Sequence, residues 1–138
     1  VHMLKHYSRG FIFTTSLPPL VSASVIKAIE IMERDSDIHI KLKQNISNFK
    51  NELVDAGFDT GQTETAIIPV MIRNRDITYA IVKDLHEKSI FVNGIEYPAV
   101  RKRESRLRVS VMATHTDRDI NYFTANLIEL GKKYKIIA

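Results

Sequence analysis

An α/β fold, a small three- or four-stranded sheet with helices packed on one face, is predicted by three observations. Short β-favouring runs alternate along the chain with longer stretches of helical periodicity. The run Arg106-Leu107-Arg108-Val109-Ser110-Val111 alternates polar and apolar residues, with the period of two of a half-buried strand. The 138 residues, 44% of them apolar, are enough to bury roughly two-thirds of the unfolded surface around one core.

The elements follow in order. Val1 to Gly10 has no basic stretch leading into an apolar one and a cleavage site, so it does not read as a signal peptide. Phe11-Ile12-Phe13 is a β-favouring triplet and reads as a short strand. It leads into the hydroxyl loop Thr14-Thr15-Ser16, after which Pro18 and Pro19 bar a strand from continuing. From Pro19, tolerated in a first helical turn, Val21, Val25, Ile26, Ile29 and Met32 recur at helical spacing and predict a helix to Arg34. Asp35-Ser36-Asp37 offers a cap for a second helix carrying Leu42, Ile46, Phe49 and Leu53, which Gly57 stops. Periodicity alone leaves open whether Asp35 breaks or bends one long helix. Ala66 to Ile72 is a buried or edge strand containing Pro69, and Asp76 to Lys88 carries Ile77, Ala80, Ile81 and Leu85 on one helical face. Ile90-Phe91-Val92 reads as the next strand, leaving through Asn93-Gly94, and Arg106 to Met112 as another whose arginine face points away from the core. Thr116-Asp117 starts a last helix bearing Ile120, Phe123, Leu127 and Leu130, closed by Gly131 and a lysine-rich end that suits the helix dipole.

Composition narrows the function. With 26% charged residues, five Gly and four Pro, the chain is neither disordered nor fibrous. Its longest uncharged stretch, Gly10 to Ile26, holds two prolines and several hydroxyls, which argues against a membrane span. No cysteine is present, so disulfides and thiolate chemistry are out and a reducing, cytoplasmic setting is the default expectation. Five histidines are scattered without ligand spacing beside a carboxylate, so no metal site is expected; His115 stands out only because it follows the Arg108 strand. Glycine-rich nucleotide loops and Gly-x-Ser-x-Gly turns are absent.

Three features could carry chemistry. The hydroxyls and amides of Thr14, Thr15 and Ser16 could cradle a phosphate, or simply cap the next helix. Arg108, fixed on a strand, could hold a carboxylate through two parallel hydrogen bonds, or lie on a solvated sheet face. Arg106 shares that face, and spacing does not choose between them. The net charge is +4, and five bases, Arg101, Lys102, Arg103, Arg106 and Arg108, crowd into eight positions. They suit a phosphate-bearing partner or a solvated loop, but no aromatic lies within the run and no RNA-binding signature accompanies it, which argues against nucleic acid.

Three segments resemble the α-oxoamine synthases, the pyridoxal-phosphate (PLP) enzymes that include 8-amino-7-oxononanoate synthase, glycine C-acetyltransferase, 5-aminolevulinate synthase and serine palmitoyltransferase. They are Gly10 through Pro19, Ala66-Ile67-Ile68-Pro69-Val70, and the series Ile90-Phe91-Val92, Tyr97-Pro98-Ala99-Val100, Arg106-Leu107-Arg108-Val109-Ser110 and Ala113-Thr114-His115-Thr116. The resemblance implies the C-terminal part of a fold-type-I PLP enzyme. Residues 1–18 would end the large domain, 19–57 would form a connecting helical segment, and 58–138 the small domain. It implies a homodimer that condenses a small amino acid, glycine or alanine, with an acyl-CoA. It assigns Arg108 to the amino acid's carboxylate, and Thr14, Thr15 and Ser16 to the phosphate of the cofactor in the neighbouring subunit. The Schiff-base lysine is expected before Val1, since no lysine here sits in the family's Thr-x-Ser-Lys setting. No catalytic residue is therefore expected in this stretch, which should be inactive alone. Two positions depart from the family pattern. Ala99 stands where aminolevulinate synthases have Thr, which argues against a succinyl donor, and Arg101-Lys102-Arg103 replaces the usual Pro-x-Gly turn. A non-catalytic basic binding or dimerisation module is the alternative.

Overall fold

The computed structural model describes residues 1–138, which divide into two compact units, Val1–Ser36 and Asp37–Ala138. The later half of the 19–57 helical segment therefore lies with residues 58–138.

The first unit is helical: α1 (His2–Tyr7), α2 (Arg9–Ile12) and α3 (Pro19–Arg34). The strand expected at Phe11-Ile12-Phe13 does not form. Ile12 N and Phe13 N donate instead to Ser8 O (2.9 Å) and Arg9 O (3.1 Å) as α2 and its cap. The β preference of such a triplet is realised only beside a partner strand, and this unit contains none. The hydroxyl loop and the α3 start follow as expected, with Pro19 in the first turn. None of the α3 residues is buried, so its apolar stripe of Val25, Ile26, Ile29 and Met32 is left uncovered. Asp35 breaks the helix: it caps α3 at φ −114° and ψ 83°, and a new helix begins at Ser36.

The second unit contains α4 (Ser36–Asp55, from Asp37 on), β1 (Ile67–Met71), α5 (Arg75–Glu87), β2 (Asn93–Ile95), a single 3-10 turn (Lys102–Glu104), β3 (Arg106–Ser110) and α6 (Asp117–Lys133). Its sheet has three antiparallel strands in the order β1-β3-β2. Pro69, which has no N–H to give a ladder, sits on edge strand β1 as expected. Val70 pairs with Leu107 and Ile68 with Val109, forming the core face. Phe49 and Leu53 of α4, Ile81 and Leu85 of α5, and Leu127 of α6 complete that core. α5 passes close to Gly94, where a Cβ would lie 3.2 Å from Thr78 and Val82 side chains.

Two readings are corrected here. Ile90-Phe91-Val92 is not a strand, and the ladder forms at Asn93–Ile95. The chain leaving α5 is first committed to closing that helix: Ser89 turns at φ 60°, and Ile90 N donates to Leu85 O at 2.9 Å. It reaches β3 only after Val92 has been buried from an extended loop. Gly131 does not end α6, which runs on to Lys133 with Tyr134 as its cap. The α6 start carries a capping box in which Thr116 and Asp119 satisfy each other's backbone N–H groups.

The end of α6 is tied to α5 by Asp84, whose Oδ2 accepts from Lys133 Nζ (2.6 Å) and Tyr134 Oη (2.9 Å). The hydrogen bond from Lys133 outweighs partial burial and, with Tyr134, holds the Asp84 carboxyl below the ordinary aspartate range. A carboxyl depressed in the folded state contributes stability above its unfolded pKa of about 3.9 and loses it as pH falls through the folded value. Asp84→Asn is therefore expected to lower the urea midpoint at neutral pH, with the difference from wild type closing as pH falls through the depressed folded value. An undiminished difference at acid pH would show that the charge is not what Asp84 contributes.

Candidate functional site

Arg108 is the middle residue of the central strand, flanked across the ladders by Pro69 on β1 and Asn93 on β2. Its place between two paired strands fixes its backbone: the neighbouring residues Leu107 and Val109 pair with Val70 and Ile68 of β1, and Arg108 itself pairs with Asn93 of β2. The two arginines that share this face differ sharply. Arg106 is engaged: its Nε donates to Glu104 O at 2.8 Å, and its guanidinium lies 3.3 Å from Glu104 Oε2. Arg108 is exposed and its guanidinium has no hydrogen-bond or ion-pair partner. A rigid base carrying a free planar fork of donors is the arrangement that binds a carboxylate bidentately.

Beside Arg108 opens a cleft of about 690 Å³, where β2 has ended and residues 89–92 diverge from residues 109–112 of the β3 segment. Its lining is mainly apolar and includes Phe91, Val109 and Met112. It also includes Phe49 and Phe123, packed edge to face at 5.2 Å between centroids. Asn93, Arg108 and His115 supply polar groups. A mostly apolar cavity of this size with a few convergent polar groups suits a small amphipathic ligand.

The turn that bears His115 is pinned from below. Asn45 on α4 is fully buried, and its Nδ2 donates to Met112 O (3.0 Å) and His115 O (2.9 Å). Met112 N donates to His115 Nδ1 at 3.3 Å, which makes Nδ1 the acceptor and leaves the ring proton of the neutral imidazole on Nε2. Asn45 was not singled out from the sequence. Its signal was a polar residue on the apolar face marked by Leu42 and Phe49, three residues after one and four before the other.

Thr14, Thr15 and Ser16 lie in the first unit, exposed in the loop before α3. Their hydroxyls make no hydrogen bonds within the chain, and only the Thr14 amide donates, to Phe11 O at 3.3 Å. The loop thus presents three hydroxyls and successive amides without acceptors, a donor set that fits a phosphate.

Taken together, the three-stranded sheet and the helices packed on it form a small α/β domain with an unpaired arginine beside a mainly apolar cleft. Residues 1–127 match the family model for aminotransferase class I and II, and the chain belongs to that family. It is 36% identical over 137 residues to an 8-amino-7-oxononanoate synthase of Symbiobacterium thermophilum, covering 99% of this chain and 35% of that protein. It is 37% identical over 136 residues to a serine palmitoyltransferase of Sphingobacterium spiritivorum, covering 99% and 34%. A serine palmitoyltransferase structure solved with PLP superposes with a TM-score of 0.85 at 27% identity, again over 99% of this chain and 35% of that one. The chain thus spans about a third of the length of the curated relatives it matches. Both enzyme names fall within the α-oxoamine synthases that the motifs resemble, and the fold matches the C-terminal small domain expected from them. No helix is long and apolar enough to cross a membrane.

Proposed function

We propose that this chain is the C-terminal part of a PLP-dependent acyl-CoA:amino-acid C-acyltransferase, in which Arg108 holds the α-carboxylate of a small amino acid, glycine or alanine. The free guanidinium of Arg108 beside the cleft carries this reading, since Arg106 is occupied by Glu104. PLP, when bound, supplies an electron sink for the negative charge that develops at Cα. Thr14, Thr15 and Ser16 would hold its phosphate through their free hydroxyls and amides. In a homodimer the phosphate they hold would be that of the neighbouring subunit.

What Arg108 contributes is orientation. Two parallel hydrogen bonds from a guanidinium fix both position and plane of a carboxylate. That sets which bond at Cα is presented for cleavage and holds Cα near the attacked thioester carbonyl. The uncovered stripe of α3 is the natural seat for the remaining two-thirds of such an enzyme.

The test is thiol release. The complete protein, supplied with PLP, an acyl-CoA and glycine or alanine, is expected to liberate CoA, measured with a thiol reagent, only when all three are present. Absence of CoA release across a series of acyl chain lengths and small amino acids would overturn the reading.

A further inference from the structure

We propose that the turn Arg101-Lys102-Arg103, with the Tyr97 ring beside it, docks the phosphorylated nucleotide end of a CoA-type thioester. The inference rests on the acyltransferase reading and adds where the part of that substrate remote from the reacting carbonyl is held.

The first observation is a run of three adjacent bases without a counter-ion. Lys41, Arg73, Lys88 and Lys133 of the same unit are paired with Asp117, Asp59, Glu129 and Asp84, and the other unpaired bases, such as Lys43 and Arg118, do not form such a run. Arg101, Lys102 and Arg103 are exposed and have no ion pair or hydrogen bond from their side chains. The two acids near them are already used. Glu104 faces Arg106 at 3.3 Å, and Glu96 takes Arg75 Nε at 2.7 Å together with the Tyr79 hydroxyl. Three adjacent cations without a counter-ion repel one another and concentrate positive potential at one point, which an anion would relieve.

The second observation is that this turn is anchored at both ends. Val100 N donates to Glu96 O (3.2 Å) before it, and Glu104 N donates to Arg101 O (2.8 Å) across it. Behind it Ser105 is buried, and its carbonyl accepts from Ile72 N (3.0 Å) and Arg73 N (2.8 Å). The cations therefore project from a fixed backbone, so less ordering entropy opposes binding than for a mobile loop.

The third observation supplies the chemistry beyond charge. Tyr97 is 61% exposed, with Lys102 Nζ 5.7 Å from its ring centroid. Beside the ring lies a shallow open cleft of about 370 Å³ lined by Tyr97, Pro98, Ala99, Val100, Arg101 and Glu104, the last already engaged by Arg106. An exposed aromatic face next to guanidinium and ammonium groups is what a nucleoside phosphate needs: the base stacks on the ring while the phosphates take the charged donors. One aromatic and one three-residue cluster match a single nucleotide better than a polynucleotide track, which requires a repeated stripe of both. The spacing also fits a thioester that reacts near Arg108. Arg103 and Arg108 are five residue steps apart, at most about 17 Å of extended chain, and the long flexible arm of CoA joins its nucleotide to the thioester across such a gap.

The test is equilibrium binding of CoA, dephospho-CoA and pantetheine to the chain by calorimetry. Wild type is compared with the triple variant Arg101→Ser, Lys102→Ser, Arg103→Ser and with Tyr97→Leu, all exposed positions whose folding is checked by circular dichroism. CoA is expected to bind with an affinity that falls as salt rises, to bind roughly tenfold or more weaker in the triple variant, and to bind weaker also in Tyr97→Leu. Dephospho-CoA should bind less tightly than CoA, and pantetheine should show no dependence on the variants. CoA affinity unchanged in the triple variant, or pantetheine bound as well as CoA, would overturn the proposal. So would single-stranded RNA bound through the same three residues more tightly than CoA. In the complete enzyme the triple variant should raise the acyl-CoA KM several-fold while the amino-acid KM stays at its wild-type value. A protein that binds CoA through this turn but never releases it from a thioester would refute the acyltransferase reading and leave the docking site standing.

Discussion

Replacing Arg108 by alanine should raise the amino-acid KM of the complete enzyme by about 100-fold, within a range of roughly 30-fold to 1,000-fold. Losing two charge-assisted hydrogen bonds to a carboxylate costs about 2–4 kcal/mol, and each 1.4 kcal/mol is a factor of ten. The effect should fall on the amino acid and not on the acyl-CoA, because nothing else on that face offers a free guanidinium. Arg108→Lys should recover only part of the loss, since an ammonium is a point charge and cannot reproduce the planar fork. Arg106→Ala is the informative contrast. Its side chain is committed to Glu104 O and Glu104 Oε2, so its removal should lower the urea midpoint while leaving the amino-acid KM close to wild type. If instead Arg108→Ala leaves KM unmoved and Arg106→Ala raises it, the assignment passes to the other arginine.

The choice between these two arginines shows what kind of information the sequence holds. Alternation placed both on the outward face correctly, because the period of a strand is a local property. Only the 3-10 turn, which folds Glu104 back onto Arg106, separates them, and that is a tertiary fact. The same division runs through the fold. The α3 boundaries at Pro19 and Arg34 were legible from proline tolerance and helical spacing. Pro69 narrowed β1 to a buried or an edge strand, and the strand order puts it at the edge. Phe11–Phe13 and Ile90–Val92 misled, since β propensity says that a side chain fits a pleated surface without saying whether a partner strand is present. In one case no strand was there to pair with, and in the other the helix end claimed the backbone first. The place of Asn45 on an apolar helical face was legible but its role was not, because its partners, two carbonyls of the 112–115 turn, lie far away in sequence. Arg101-Lys102-Arg103 was conspicuous from the start, but its lack of counter-ions emerged only once Glu96 and Glu104 were seen to be engaged.

Gly131 makes the most exacting demand on packing. Alanine in a helix interior ordinarily gains about 1 kcal/mol over glycine, so helix propensity alone predicts that Gly131→Ala stabilises. Geometry predicts the reverse. A Cβ there would lie 2.6 Å from Phe58 Cζ, 3.0 Å from Phe58 Cε1 and 3.1 Å from an Ile137 side-chain carbon. Phe58 has little freedom to yield: it is 4% exposed, its N donates to Leu53 O at 2.9 Å, and Gly57 before it turns at φ 94°. Overpacking of this kind costs about 1–3 kcal/mol and occasionally more. The upper part of that range exceeds the propensity gain, and Gly131→Ala should therefore destabilise by about 1–2 kcal/mol, read as a lower urea midpoint at unchanged m-value. Gly10→Ala is the internal control, since Gly10 also lies in a helix but has no heavy atom within 4 Å of its would-be Cβ; it should be neutral or stabilising by up to about 1 kcal/mol. Opposite signs at the two glycines would place the requirement at Gly131 in the contact with Phe58, and equal, stabilising effects would refute it. The contact bears on the site as well. Phe58 leads directly to Asp59, whose carbonyl accepts from Met71 N on β1 at 2.9 Å, and β1 is the strand that pairs with β3 on either side of Arg108, Ile68 with Val109 and Val70 with Leu107. A Gly131→Ala variant that survives folding should therefore also show a raised amino-acid KM, smaller than that of Arg108→Ala, because the fork it displaces is still present.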